Sequence, residues 1–299
     1  MEWTETLKRA LAYLEDHLLE EDPAGGAAEA VYLSPFYLQK GFRLVTGYSM
    51  GEYIRYRRLY LAGLEVIAGR GKVIDLAYRY GYDTPESFSK AFRRFHGLSP
   101  AQLQRRPEKL VPFLPLKITL TIQGGEGMDF TVEKMESWQI IGVEKRFSTD
   151  SSYREIPKFW DSFCAAHCAP LWEGKKPETA LERAISECGI GEYGVCIDDC
   201  GGGQFRYLIA GKYDGRPVPE GLEVFAFPPL EWAKFRCSGP LPESLQSVNT
   251  KIFQKWLPGN PEFEIAQGYN VEWYSMEKET SSPDYESGIW IPVRRKQTV

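Results

Sequence analysis

The sequence lacks the features that mark membrane and exported proteins. Its 299 residues include no apolar run near the roughly 18 residues that a membrane span requires. The N-terminus has neither the basic segment nor the apolar segment of a signal peptide. These absences predict a cytoplasmic protein with no membrane partner. A glycine-rich phosphate loop is also missing, since Gly201–Gly203 is typical of a turn, and no cofactor is expected.

Histidine and cysteine are too few and too unevenly placed to predict a metal site. The chain has 3 His and 6 Cys, and every cysteine follows residue 163. Cys164, His167 and Cys168 resemble metal ligands in their spacing, but no second pair completes a set. Redox sensing is the other use considered for these thiols. In a long chain without an export signal, we favour reduced and buried cysteines over metal ligands or disulfides.

What the sequence does contain is a strong charge asymmetry. The formal net charge is −5, which by itself argues against nucleic acid as a partner. Residues 40–109, however, hold 14 Lys and Arg against 6 Asp and Glu, whereas residues 111–299 hold 20 against 27. The length and the 43% hydrophobic content suit two domains with cores of their own. The chain is therefore expected to join a basic domain to an acidic one.

The basic part contains an internal repeat with an offset of 50 residues. Ser34–Gly47 and Thr84–Gly97 each begin with a hydroxyl residue and a proline and end with glycine, which is typical of a capped helix. The register holds across the helix, its entry and its exit, so the repeat is a strong structural signal. The pairs identical at this offset include Ala27/Ala77, Tyr32/Tyr82, Pro35/Pro85, Lys40/Lys90, Phe42/Phe92, Arg43/Arg93, Gly47/Gly97, Ser49/Ser99 and Arg55/Arg105.

Each repeat predicts a helix-turn-helix unit. A short helix, a tight turn and a capped amphipathic helix follow one another twice, joined by a long helix over 49–69. A helix fits the major groove, where its outward side chains meet base edges, and Lys and Arg neutralise phosphates. The alternative is a helical repeat with merely solvated charged faces, and two basic helices in register argue against it. The predicted DNA contacts are Ser34, Phe36, Tyr37, Gln39, Lys40, Arg43, Thr84, Glu86, Ser87, Lys90 and Arg93.

This first half resembles the DNA-binding domain of the AraC/XylS family of transcription regulators. The similarity extends over Trp3–Arg106, and its most specific part is Val73–Pro100. Gly41 departs from the family, in which a larger apolar residue is usual, and a glycine within a helix costs about 1 kcal/mol. The resemblance implies that the residues contacting bases are Phe36, Gln39, Lys40, Glu86, Ser87 and Lys90.

Prolines and glycines between the two halves mark a linker. The predicted division is a DNA-binding domain at 1–108, a linker at 109–127 and a second domain at 128–299. Leu116–Ile122 alternates apolar and polar residues and predicts a short strand in the linker. Beyond it, the order strand–helix–strand–strand occurs twice, so the fold class is an all-α double helix-turn-helix domain followed by an α+β domain. A groove between the duplicated halves is expected to bind a ligand.

The second domain combines many aromatic residues with net negative charge. Aromatic walls with a carboxylate attract amphipathic cations, although core packing explains any single ring. On Glu136–Val143 and Ser282–Val293 the domain resembles the GyrI-like effector-binding domain, and the domain order resembles the Rob-type regulators. Relatives often have Glu at the place of Gly288. Either Glu286, on the same face of the predicted strand, replaces that carboxylate, or the domain has lost cation binding. The predicted ligand contacts are Trp160, Trp172, Tyr193, Tyr207, Trp273, Glu286 and Trp290.

The two resemblances imply a sequence-specific transcription regulator, with activation as the expected direction. The implied partners are double-stranded DNA, a small lipophilic or cationic effector, and RNA polymerase. Some GyrI-like relatives are hydrolases, so the alternative is a domain that hydrolyses or sequesters a lipophilic toxic compound. We expect no enzymatic activity, because the glutamate usual at the position of Gly288 is missing.

Overall fold

The chain folds into two compact units. The computed structural model describes residues 3–118, 128–168, 174–200 and 203–296. Trp172 and most of the predicted strand Leu116–Ile122 lie outside these ranges. The helical unit comprises Thr4–Leu33 and Thr46–Thr121, and the sheet unit comprises Met1–Trp3, Ser34–Val45 and Ile122–Val299.

The sequence repeat forms the helices predicted for it. Ser34 Oγ accepts the N–H of Tyr37 at 3.3 Å, and Thr84 Oγ1 accepts that of Ser87 at 3.1 Å. The glycines that end the two helices, Gly47 and Gly97, have φ angles of 81° and 76°. Glycine is favoured at these positions because it adopts this left-handed conformation without strain. The predicted helix caps are therefore confirmed. The helices within residues 3–118 are α1 (Trp3–Asp16), α2 (Pro23–Ala30), α3 (Pro35–Thr46), α4 (Met50–Ile67), α5 (Val73–Arg79), α6 (Pro85–His96) and α7 (Pro100–Arg105).

The second helix-turn-helix lies in the helical unit, where α5 packs on α6. At the turn the N–H of Tyr82 donates to the carbonyl of Ala77 at 2.9 Å. The side chains of Phe88 and Phe92 are fully buried, as the apolar side of an amphipathic helix requires.

Within the described residues, none of the helices combines the length and apolar character that crossing a bilayer requires.

His96 has a structural role at the end of α6. Its Nδ1 accepts the N–H of Val111 at 3.3 Å, so its Nε2, 3.0 Å from the carbonyl oxygen of Leu59, carries the proton and donates. Burial lowers the pKa of His96. The neutral imidazole thus ties the end of α6 to α4.

The sheet unit contains one antiparallel sheet, with nine strands among the described residues in the order β1-β6-β9-β8-β3-β4-β2-β5, and β7 on β9. The α+β class is therefore confirmed. Two short edge strands, β5 and β7, were not predicted from the sequence. The strands are β1 (Phe130–Met135), β2 (Trp138–Ser148), β3 (Tyr193–Ile197), β4 (Gln204–Lys212), β5 (Glu223–Phe227), β6 (Leu230–Ser238), β7 (Phe263–Ile265), β8 (Tyr269–Tyr274) and β9 (Glu286–Arg295).

Helices follow β2 in one half of the sheet and β6 in the other half. In the first half these are α8 (Ser152–Phe163) and α9 (Ala180–Glu187), and in the second half α10 (Glu243–Lys251). A turn of π-helix extends α8 over Cys164–Cys168, and another extends α10 over Ile252–Trp256. The short α11 (Leu257–Gly259) follows the second turn.

The strand order is symmetric about the pairing of β3 with β8. On one side β3 is followed by β4 and β2, and on the other side β8 is followed by β9 and β6. At the junction Gly194 pairs with Glu272 and Cys196 pairs with Asn270. This symmetry agrees with the predicted duplication, and it places the boundary of the two halves at the middle of the sheet.

The sheet curls around an aromatic core. The rings of Trp138 on β2 and Trp232 on β6 lie 6.3 Å apart, although four strands separate β2 from β6 in the sheet order. Trp232 is completely buried and also packs on Phe227, with ring centroids 5.4 Å apart. We call this side of the sheet the core face.

Replacing Trp232 with alanine should therefore leave a large cavity. Trp232→Ala is expected to lower the free energy of unfolding by about 3–5 kcal/mol, as other large-to-small changes in cores do. The surface change Met276→Ala is the control and should change it by less than about 0.5 kcal/mol. Urea unfolding of both variants measures the difference. A loss near zero for Trp232→Ala would contradict its place in the core.

Candidate functional site

Helices cover the face of the sheet opposite the core face. The ring of Phe159 on α8 packs on Phe147 of β2 at 5.8 Å. In the other half, Trp256 packs on Phe235 of β6 at 4.9 Å. We call this side the helix-covered face, and the junction of β3 and β8 runs along its middle.

Strand β8 supplies side chains to both faces, because successive residues of a strand alternate. Val271 belongs to the aromatic core, and Trp273 packs against it. By alternation Asn270, Glu272 and Tyr274 point to the helix-covered face. The middle of that face therefore carries a carboxylate and an amide on one strand.

Glu272 is the centre of a cluster of aromatic side chains. Tyr274 donates its hydroxyl to Glu272 Oε2 at 2.9 Å. Trp160 of α8 donates its ring N–H to the hydroxyl of Tyr207 at 2.8 Å, and its ring lies 5.3 Å from that of Tyr274. A Cβ on residue 194 would lie 2.2 Å from the Tyr207 hydroxyl and 3.3 Å from Glu272 Oε2, so Gly194 makes room for the cluster.

The hydroxyl groups of this cluster remain protonated. Burial raises the pKa of Tyr207 well above its usual value, and the nearby charge of Glu272 raises it further. The pKa of Tyr274 is raised for the same two reasons. Neutral phenols donate hydrogen bonds to a carboxylate, so the cluster places the carboxyl group of Glu272 among phenol hydroxyls and aromatic rings.

The structure divides the residues predicted to bind a ligand. Trp160 and Tyr207 lie in the Glu272 cluster, whereas Tyr193, Trp273 and Trp290 pack on the core face. The rings of Tyr193 and Trp290 are 5.8 Å apart there. Core packing was the alternative considered for these rings, and their contact with a ligand stays a prediction.

Glu286 does not adjoin the Glu272 cluster. It forms an ion pair with Arg236 on the neighbouring strand, and Gly288 pairs with Trp273 on the core face. The carboxylate that lies among the aromatic rings is Glu272, which was not among the residues predicted from the sequence. The sequence feature that indicates its position is the alternation of side chains along β8, which places Glu272 on the same face as Tyr274.

Helix α3, which the sequence predicts to be the first recognition helix, also lies on the helix-covered face. The N–H of Phe36 donates to Asp198 Oδ2 at 2.7 Å, and the Phe36 ring packs on Phe205 at 4.9 Å. Tyr37 donates its hydroxyl to the carbonyl of Tyr269.

Its next turn continues the same contact. Lys40 Nζ donates to Asn270 Oδ1 at 2.8 Å. Arg43 lies over the ring of Tyr153 at 3.8 Å. Helix α3 is thus docked on the sheet by residues that were predicted to contact DNA.

The equivalent residues of α6 have a different environment. Glu86, Ser87, Lys90 and Arg93 are exposed to solvent. In α3 the side chains of Phe36 and Tyr37 are only 6% and 0% exposed. The outward face of α6 is thus open to solvent, whereas aromatic side chains at the start of α3 pack on the sheet.

Comparisons with known protein families match two parts of the chain separately. Residues 27–106 match the model of a helix-turn-helix domain family. Residues 131–293, more than half of the chain, match the model of the family described as Integron-associated effector binding protein. This chain belongs to that family. The arrangement of an AraC-type helix-turn-helix domain before an effector-binding domain is the Rob-type one, as the sequence predicted.

Relatives match parts of the chain. It is similar to the Right origin-binding protein of Escherichia coli K12, 27% identical over 168 residues, which are 52% of this chain and 56% of that protein. Regulatory protein SoxS of the same strain is 33% identical over 96 residues, 32% of this chain and 90% of SoxS. The chain therefore spans about half the length of the first of these relatives.

One solved structure resembles the effector-binding part. It is the integron cassette protein from the mobile metagenome of Vibrio cholerae, which is 13% identical with a TM-score of 0.39. The match covers 55% of this chain and 95% of that one.

The thiols of this effector-binding protein are all free. Cys164 and Cys168 lie one turn apart at the end of α8. A hydrogen bond from the Cys168 thiol lowers the pKa of Cys164 to about 7 and raises that of Cys168. Within the described residues, no three His, Cys, Asp or Glu side chains are grouped as metal ligands.

Cys164 should react faster with iodoacetamide than the other thiols, because the thiolate is the nucleophile. Its alkylation rate is expected to be half-maximal near pH 7. Cys168→Ala removes the donor and should move this midpoint toward the ordinary thiol value of about 8.5. Cys237, whose pKa burial raises to about 12, is the unreactive control. Mass spectrometry reads each site, and an unchanged midpoint in Cys168→Ala would contradict the thiol pair.

Proposed function

We propose that this chain is a transcription regulator that binds double-stranded DNA under the control of a lipophilic cation bound at Glu272. The observation that carries the ligand proposal is a carboxylate held among aromatic rings at the middle of the sheet. The family matches support the regulator proposal. Activation of transcription, with RNA polymerase as partner, is part of it.

The charge of Glu272 favours a cationic ligand. Among the described residues, Glu272 is in no ion pair with Lys or Arg and receives its hydrogen bond from a phenol. A partly buried carboxylate without a cation is costly, so a positive ligand gains from occupying its surroundings. A neutral or anionic compound does not gain this energy.

The rings around Glu272 favour a lipophilic cation over a metal or a small amine. Trp160, Tyr207 and Tyr274 are aromatic, and the face of an aromatic ring attracts a positive charge within about 6 Å of its centre. They also offer apolar area, which adds affinity in proportion to the surface buried. The combination suits an aromatic or alkyl cation with diffuse charge.

The exposed face of α6 supports the DNA part of the proposal. Lys90 and Arg93 lie one turn apart and are open to solvent, with Ser87 at the start of the helix. This pattern suits phosphate contacts and access to base edges.

The ligand proposal is tested with tetraphenylphosphonium, a lipophilic cation whose charge is independent of pH. Glu272→Gln keeps the shape of the side chain and removes its charge. It is expected to weaken binding of tetraphenylphosphonium at least about tenfold, because a charge–charge attraction of a few kcal/mol is lost. Isothermal titration calorimetry measures the affinity.

Two controls accompany this experiment. Glu286→Gln removes an exposed carboxylate paired with Arg236 and should leave the affinity unchanged. Triphenylphosphine oxide, a neutral aromatic analogue, should bind weakly to the wild type and to Glu272→Gln alike. Loss of binding in Glu286→Gln alone would overturn the assignment, and a new product from the probe would favour the hydrolase alternative.

The DNA proposal is tested at Lys90. Lys90→Ala should weaken binding to a duplex selected from a random pool and lower the salt dependence by about one counterion if Lys90 contacts phosphate. Lys134→Ala, an exposed lysine on β1, is the control and should change neither. Titrations by fluorescence anisotropy at several salt concentrations measure both quantities. Equal behaviour of the two variants would remove α6 from the DNA interface.

A further inference from the structure

We propose that docking of α3 on the helix-covered face is an autoinhibitory contact, in which the sheet occupies the residues that would read DNA. A ligand at Glu272 then releases α3. This inference rests on the proposed function, and it adds how the ligand site controls the DNA-reading helix.

The residues of α3 that dock on the sheet are among its predicted DNA contacts. Phe36, Tyr37 and Lys40 fall on one face of α3, and each has a partner on the sheet. A side chain buried against Phe205 or bonded to Asn270 is not available to a major groove. Docking and DNA reading by α3 therefore exclude each other.

The start of α3 is bound as a nucleic acid would bind it. Asp198 Oδ2 accepts the N–H of Phe36 in the first turn. Free N–H groups at a helix start bind phosphate, helped by the helix dipole. Asp198 thus supplies an anionic oxygen at the place where a DNA phosphate would supply one.

Gly41 permits this docking. A Cβ at position 41 would lie 2.3 Å from the ring of Trp3 and 3.0 Å from that of Phe253, both in the sheet unit. The equivalent position in the second repeat is Ala91, so the helix itself accepts a Cβ there. Gly41 weakens the helix but lets two aromatic rings approach it.

The docking site and the ligand site are adjacent on two strands. On β8, Asn270 binds Lys40 and Glu272 holds the cluster. On β4, Phe205 packs on Phe36 and Tyr207 belongs to the cluster. Residues two apart on a strand are roughly 7 Å apart on the same face. An aromatic cation of several rings at Glu272 therefore reaches the docking residues and displaces α3.

The alkylation rate of Cys196 measures whether α3 is docked on the sheet, in an assay that needs no DNA. Cys196 pairs with Asn270 on the helix-covered face and is only 5% exposed. Lys40 is among the charged groups near its thiol. Release of α3 should open this thiol to alkylation.

The experiment uses the full chain with Gly41→Ala and, on the sheet, Asn270→Ala. Both variants should alkylate Cys196 faster than the wild type, and both should bind the selected duplex at least about fivefold tighter. Gly41→Ala also raises helix propensity, so Asn270→Ala, which leaves α3 unchanged, separates release from helix strengthening. Glu286→Gln is the control and should match the wild type.

Tetraphenylphosphonium should increase alkylation of Cys196 in the wild type but not in Glu272→Gln. Unchanged alkylation and unchanged DNA affinity in both docking variants would overturn the autoinhibition. Binding of the cation without any effect on Cys196 would overturn the ligand-driven release and leave the proposed ligand site intact. Absence of cation binding by calorimetry would instead contradict the proposed function, while the docking variants still test autoinhibition.

Discussion

The pairing of β3 with β8 is the interaction on which the sheet unit depends. It joins the two halves of the sheet into one, and it places Asn270 beside Cys196 and Glu272 beside Gly194. The absence of a side chain at Gly194 leaves space for the Tyr207 hydroxyl and the Glu272 carboxylate. A duplicated fold thus brings its two halves together at the position where a carboxylate, an amide and several rings face the same way. Both the proposed ligand site and the docking surface of α3 follow from this junction.

The two repeats show how far local sequence determines structure. Their caps and apolar stripes are alike, and both form the helices that these signals predict. Their outward faces differ by a few residues, namely Phe36 and Tyr37 in place of Glu86 and Ser87. Aromatic side chains gain from burial, whereas a carboxylate and a hydroxyl remain hydrated without cost. This difference explains why α3 has a partner on the sheet and α6 is open to solvent.

Much of the fold could be predicted from the sequence, because helices and strands of ordinary length follow from periodicity and caps. The candidate site could be predicted only in part. Alternation separates the faces of a strand but does not say which face helices cover. Glu286 is the carboxylate that the sequence predicts for the ligand, and the curl that joins Trp138 to Trp232 shows that Glu286 lies away from the cluster of Glu272. That curl depends on contacts distant in sequence, which no local pattern contains.

The charge asymmetry takes on a specific meaning in the structure. An acidic domain joined to a basic one suggests general repulsion of DNA by the acidic part. The contacts of α3 are more local, because one carboxylate, Asp198, meets the helix start and one amide, Asn270, meets Lys40. On the proposed mechanism, single acceptors at these places compete with DNA more effectively than net charge does, since salt screens distant charges and not a direct hydrogen bond. The proposed autoinhibition thus needs only two acceptors on the sheet, and the proposed ligand ends it by occupying the neighbouring positions.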